Sequence, residues 1–286
     1  MSFLIYFTIV VATVSQSWAG KRHTRLGGST YTFNAMKAAA ALLMFAVMCV
    51  IDRQFTFGGI LYGSLYGILL SLSMYVGLRA LALGPMSLTS MLASMSVIIP
   101  VFWGITVRNE EPGIFKYIAF LCILSALVSM NIDKLKAKEK NKGKGYAKWG
   151  IFISLTFVAN GFCSVLQKEY QLSYPEGTSS EFMLWAMAVC ALIYAPICLI
   201  KGKKSEHGSV GKSYLGAFAG VMTGVSGFLT LALADTSNAS VMFPLISAGT
   251  VIGALVCGKF IFREKLKLNH YAALSLGIIA VVLLKI

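Results

Sequence analysis

The sequence predicts an all-α integral membrane protein of ten transmembrane helices, arranged as two inverted five-helix repeats. Three observations predict this fold. Charged residues make up 13% of the 286-residue chain and hydrophobic residues 57%, whereas a soluble domain carries about 25% charged residues. Most of the surface therefore faces something other than water, and a chain in lipid satisfies its backbone most simply as helices. The apolar residues fall into stretches of spanning length separated by short gaps. Spacings found in the first half of the chain recur in the second.

Ten apolar segments are marked at about 2–20, 30–51, 58–79, 86–107, 113–132, 149–168, 179–200, 213–234, 239–262 and 268–286. Segment one has the length of a signal peptide but no basic residue before its apolar run, so it is expected to be retained. It also has a counterpart: Val11 to Lys21 aligns with Val158 to Lys168 in segment six. Segment three carries Gly59, Gly63 and Gly67, and segment eight carries Gly216, Gly220 and Gly224. Small residues every fourth position form a stripe on which another helix backbone can lie closely. Ser87 precedes Glu111 by the same interval by which Ser240 precedes Glu264. Between segments five and six runs the longest polar stretch, with Lys134, Lys136, Lys138, Lys140, Lys142, Lys144 and Lys148. Tyr146 is its one aromatic, and apolar segments lie on both sides, so it reads as a linker and not as a nucleic-acid arm. The expected organisation is a first repeat over 1–132, a linker over 133–148 and a second repeat over 149–286. An odd number of helices per repeat reverses the second copy in the membrane, the design of many secondary transporters.

These residues resemble a known family. Ala80-Leu81-Ala82-Leu83-Gly84-Pro85-Met86-Ser87, Pro100, and in the second half Leu231 to Ala234, Pro244 and Phe262-Arg263-Glu264 are similar to the pattern of EamA-type carriers of the drug/metabolite transporter superfamily. The resemblance covers essentially the whole chain. It implies a ten-helix basket with a central cavity lined mainly by segments one, three, four, six, eight and nine.

The net charge is +14. Eighteen basic residues lie in the odd-numbered gaps and five in the even-numbered gaps and the C-terminus. The positive-inside rule then places the odd gaps, with the 133–148 linker, in the cytoplasm and both termini outside. The resembled family is usually described with both termini inside, and the local count is preferred here. The six cysteines all fall in apolar segments without metal-type spacing and read as packing residues.

Ionisable residues within segments are costly and so are functional candidates. Lys37 lies inside segment two and reads as a snorkelling or structural cation. Glu169, Glu181 and Asp235 lie at segment ends and read as solvated caps. Arg79 and Lys259 read as interfacial anchors, and Glu111 and Glu264 as partners of the helix N-terminus that follows each. No Asp or Glu sits near the centre of any segment. That argues against a simple proton-for-cation exchanger and for a neutral or zwitterionic substrate held by hydroxyls, amides and aromatic rings. The candidate substrate-binding residues are Thr13, Gln16 and Trp18 on segment one and Ser71 and Tyr75 on segment three. Ser94 is on segment four, Asn160 and Ser164 on segment six, Thr223 and Ser226 on segment eight, and Ser247 and Thr250 on segment nine. Ser71 and Tyr75 are expected to face Thr223 and Ser226. Gln16 and Asn160 lead, because an amide is costly in hydrocarbon without partners.

No phosphate-cradling loop, HExxH or Gly-x-Ser-x-Gly elbow occurs, so the chain is expected to be neither an enzyme nor an ATP-driven pump, with no cofactor and no metal. The expected function is secondary transport of a small metabolite across the plasma membrane, with export favoured by the resemblance. Alternatives are a carrier or flippase for a lipid-linked or nucleotide-linked sugar, and a membrane scaffold or receptor. The expected partners are a small-molecule substrate and the lipid bilayer; nucleic acid is not expected, and a homodimer is left open.

Overall fold

The computed structural model describes residues 2–52, 57–109, 113–115, 117–118, 121–122, 125, 143–175, 177–201, 214–234, 239–264 and 268–283. Among these the regular structure is helical, with no strand. The helices are α1 (Ser2–Arg25), α2 (Thr30–Asp52), α3 (Phe57–Leu83), α4 (Met86–Ser94), α5 (Ile98–Val107), α6 (Gly143–Ser173), α7 (Ser179–Lys201), α8 (Tyr214–Ala234), α9 (Ala239–Phe260) and α10 (Leu268–Leu283).

Segment four is two helices, not one. A 3-10 turn over Met95–Val97 separates α4 from α5. Pro100 is the cause in the sequence: its ring takes the space of the carbonyl four residues back, and it has no N–H to offer that carbonyl. Helix α6 begins at Gly143, six residues before the expected start, so Lys144 and Lys148 are helical. The rest of the expected linker lies outside the described residues, as does most of segment five. Helix α1 runs on to Arg25, past the end expected for segment one.

Five helical stretches are long and apolar enough to cross a membrane: Thr30–Ile51, Gly58–Leu83, Met86–Val107, Ala147–Ser173 and Ser179–Ile200. Tyr214–Thr230 and Gly249–Phe260 are shorter apolar helices. Large apolar side chains point outward along these stretches, Leu43 at 69% and Leu192 at 74% exposure among them. Such faces belong against lipid. The chain is a multi-pass helical membrane protein.

The principal packing partners come from opposite halves of the chain. Helix α3 lies on α6 and α7, α2 on α7 and α8, α1 on α8 and α9, and α4 on α9. The two glycine stripes make two of these crossings. A Cβ on Gly63 would stand 2.7 Å from the Phe182 carbonyl oxygen and 2.9 Å from the Trp185 Cβ of α7. On Gly216 it would stand 2.6 Å from the Phe33 carbonyl oxygen and 3.0 Å from the Met36 Cβ of α2. Gly67 meets Ala186 and Val189 in the same way, and Gly220 meets Lys37 and Ala40. Only glycine allows these backbone approaches.

Charged residues close the end where α3 gives way to α4. The Lys21 ammonium, on α1, donates to the Leu81 carbonyl at 2.7 Å and to the Gly84 carbonyl, satisfying the C-terminus of α3. Burial pulls the Lys21 ammonium below its ordinary range, against the pull of the nearby Glu264. Glu264 accepts from the Met86 N–H at 2.5 Å and, through its other oxygen, from the Ser87 hydroxyl at 2.8 Å. It therefore caps α4, in the opposite half. The physical reason is geometric: the turn after α9 brings Glu264 beside the free N–H groups of α4. Glu111 and Asp235 lie outside the described residues.

Glu169 and Glu181 are not solvated caps. Glu169 accepts from the Trp103 indole at 2.9 Å and pairs with Arg108, tying α6 to the end of α5. Glu181 is fully buried. It sits in the first turn of α7, where the helix dipole favours a carboxylate, and its carboxylate fills the space above Gly59.

Candidate functional site

The two leading amides are both paired across the halves. Gln16 of α1 donates through Nε2 to the Ser226 hydroxyl of α8 at 3.2 Å. Its Oε1 lies 2.9 Å from the Thr223 hydroxyl, whose one hydrogen it shares with the Ala219 carbonyl at 2.8 Å. Asn160 of α6 accepts through Oδ1 from the Ser73 hydroxyl of α3 at 2.5 Å. Each amide on the opening helix of one half thus meets a serine on the third helix of the other. Ser73 was not among the sequence candidates; its position, 153 residues before Ser226, is the signal that finds it.

The remaining candidates divide. Thr13 bonds back to the Ile9 carbonyl, Ser94 to Ser90, Ser164 to Asn160 and Thr250 to Ile246. These hydroxyls satisfy themselves within their own helix. Trp18 meets Phe218 edge to face at 6.2 Å and lies under the Arg22 guanidinium at 5.3 Å. The side chain of Ser247 lies outside the described residues.

Ser71 and Tyr75 do not face Thr223 and Ser226. Ser71 donates to the Gly67 carbonyl at 2.8 Å, 3.3 Å from the Cys190 sulfur of α7. Tyr75 stacks on Tyr31 of α2 with ring centres 5.6 Å apart, and the Arg79 guanidinium sits 5.5 Å over its ring. The reason is the crossing itself. The glycine stripe presses α3 onto α7, so residues flanking the stripe turn toward α7 and α2 and away from α8.

The arrangement therefore supplies two cross-half polar pairs within an apolar helix bundle. A ligand with its own donors and acceptors can take over such bonds one for one. Among the described residues no cluster of His, Cys, Asp and Glu could hold a metal ion.

Fold and site define a class, a helical membrane protein whose halves are joined by side-chain hydrogen bonds. The comparisons carry this to a family. Residues 147–286 match the model of the EamA-like transporter family. The second half of the chain is therefore similar to EamA-like transporters. A solved structure described as "Crystal structure of protein" superposes with a TM-score of 0.60 at 14% sequence identity, over 98% of this chain and 94% of that one. At that identity the likeness shows the fold alone. No curated protein matches the chain.

Proposed function

We propose that the protein is a secondary transporter that moves a small neutral or zwitterionic metabolite, an amino acid or a related compound, across the plasma membrane by alternating access. Residues 1–132 and 149–286 act as inverted five-helix repeats joined by 133–148, with the linker cytoplasmic. The packing supports the repeat. Exchanging the halves turns the α3–α6 contact into α8–α1 and the α2–α8 contact into α7–α3, and returns α2–α7 and α4–α9 to themselves. Two rigid halves joined this way rock about the contacts between them.

The observation that carries the reading is the pair of amide bonds, Gln16 to Ser226 and Ser73 to Asn160. Both cross between halves, so both must yield when the halves rock. A polar substrate lowers the cost of that step by taking the freed groups. Export follows from the family resemblance, and the cytoplasmic linker from the charge bias.

The test is flux. Purified protein in vesicles is loaded with labelled amino acids and related neutral metabolites, and counterflow is followed for wild type, Gln16→Ala and Asn160→Ala. A saturable flux that either substitution lowers at least tenfold, in protein that remains folded, supports the reading. Flux unchanged by both moves the substrate elsewhere. No flux of any neutral or zwitterionic metabolite overturns the proposal.

A further inference from the structure

Three helix faces meet in a polar seam away from the Gln16 and Asn160 pairs. Helix α2 contributes Tyr31, Asn34 and Lys37, at intervals of three. Helix α3 contributes Ser71, Tyr75 and Arg79, at intervals of four, and α7 contributes Cys190 and Tyr194. These intervals put each set on one helix face. The contacts join them. Tyr194 donates its hydroxyl to the Ser71 carbonyl and lies within electrostatic reach of both Tyr31 and Tyr75. Lys37 lies within electrostatic reach of Cys190, which neighbours Ser71.

The seam has a mouth and a floor. Arg79 is exposed, and the Tyr31–Tyr75 stack beside it is half-buried. Six residues further along α2, about 9 Å at 1.5 Å per residue, stands Lys37. Between them Asn34 is 1% exposed; its amide faces the Tyr194 hydroxyl, but its Nδ2 makes no well-aligned hydrogen bond. A buried amide N–H without an acceptor is costly. Neither Lys37 nor Arg79 is ion-paired within the described residues, where the ion pair is Arg108–Glu169. The seam thus holds two cations and a poorly satisfied buried donor, and none of its described residues is a carboxylate.

Packing alone does not require this chemistry. The glycine crossings set the correspondence between the halves: Gly63 matches Gly216, 153 positions on, and Phe182 matches Phe33, 149 positions back. By the same offsets Lys37 corresponds to Ala186, Arg79 to Ala232, Asn34 to Met183, Tyr75 to Phe228 and Tyr194 to Phe45. Ala186, Phe45 and Met183 belong to apolar clusters. By these offsets the positions of α7, α8 and α2 that correspond to the seam residues carry no charge, where the seam carries two.

We propose that the α2–α3–α7 seam binds an oxyanion, with Arg79 and the stacked tyrosines admitting it and Lys37 and Asn34 holding it. The inference rests on the transport reading and deepens it: the seam receives the carboxylate end of a zwitterionic substrate. A phosphate would be met by the same donors, and the experiment separates the two.

The experiment follows the unfolding midpoint of the purified full-length protein against rising concentrations of amino acids, the matching amino-acid amides and inorganic phosphate. A ligand of the native state raises the midpoint with occupancy. The expected result is stabilisation by the acids and not by the amides. Apparent affinity falls about tenfold in Arg79→Gln, is largely restored in Arg79→Lys, and is lost in Lys37→Met. Lys259→Met, which removes a cation lying over Tyr271 elsewhere on the surface, leaves it unchanged. Stabilisation by phosphate alone, with the same variant pattern, keeps the oxyanion site and rejects the carboxylate as its ligand. If Lys37→Met does not fold, the comparison of Arg79→Gln with Arg79→Lys decides. Equal stabilisation by acids and amides, equal affinity in Arg79→Gln and wild type, or no stabilisation by any acid or by phosphate overturns the proposal. Should any of these coincide with flux that depends on Gln16, the transport reading stands and the seam assignment alone falls.

Discussion

The two glycine crossings, α3 on α7 and α8 on α2, share their backbone contacts and differ in what surrounds them. At each, two glycines a turn apart lie over a carbonyl and a Cβ of the partner helix. Around Gly67 the neighbours are Ser71, Cys190 and Tyr194, joined by hydrogen bonds. Around Gly220 and Gly224 they are the Lys37 backbone, Ala40, Met44 and the apolar cluster of Ala41 and Phe45. Close helix approach in a bilayer depends on small residues and not on the polarity of their neighbours. Those neighbours are therefore free to differ between the two crossings.

The comparison breaks if the glycines are not equivalent. Gly67→Leu and Gly220→Leu each force a side chain into backbone, an overpacking that costs about 3 kcal/mol. Both should lower the unfolding midpoint in detergent by similar amounts and reduce the yield of monodisperse protein. A large loss in one with none in the other would mean that the two crossings are held differently.

A smaller effect is expected at the α3–α4 junction. Glu264→Ala leaves the N–H of Met86 and the hydroxyl of Ser87 without their acceptor, a loss of about 2 kcal/mol for hydrogen bonds to a charged group. Glu264→Gln keeps an acceptor and should recover part of it, as read by equilibrium unfolding. Full recovery would show that the charge contributes nothing against the α4 dipole.

Tyr194→Phe makes the polar crossing resemble its apolar counterpart at Phe45. It removes one neutral hydrogen bond, and the expected loss is about 1 kcal/mol. A gain in stability would sharpen the comparison further, because it would show that the tyrosine is kept at the expense of packing.

Arg108→Ala should change least. Its pair with Glu169 has side-chain exposures of 41% and 18%, and exposed pairs contribute about 0.5 kcal/mol. Raising the salt concentration should erase most of the difference between variant and wild type.

Some of the structure was legible in the chain and some was not. Most of the helices, the two glycine stripes and the amides worth attention were legible, because hydropathy, small-residue spacing and the cost of a buried amide are local properties. Ser73 was legible in principle, through its spacing to Ser226. The facing of Ser71 and Tyr75 was misread. A glycine stripe says that some helix lies close; it does not say which one. Lys37 and Arg79 are read singly, as a snorkelling cation and an anchor, because they stand on different helices and which helices meet is not a local property.

By itself the sequence determined that the chain lies in a membrane as apolar helices, and that its two halves echo each other. Both follow from short-range pattern. Only the tertiary structure decided that Glu264 caps a helix 178 residues away, that Glu181 is buried under Gly59, and that Ser71, Cys190 and Tyr194 bond to one another beside one crossing while Ala41 and Phe45 pack in an apolar cluster beside the other. These depend on which helices cross and at what register. That choice is made by the summed packing of the whole bundle, which no local stretch of residues specifies.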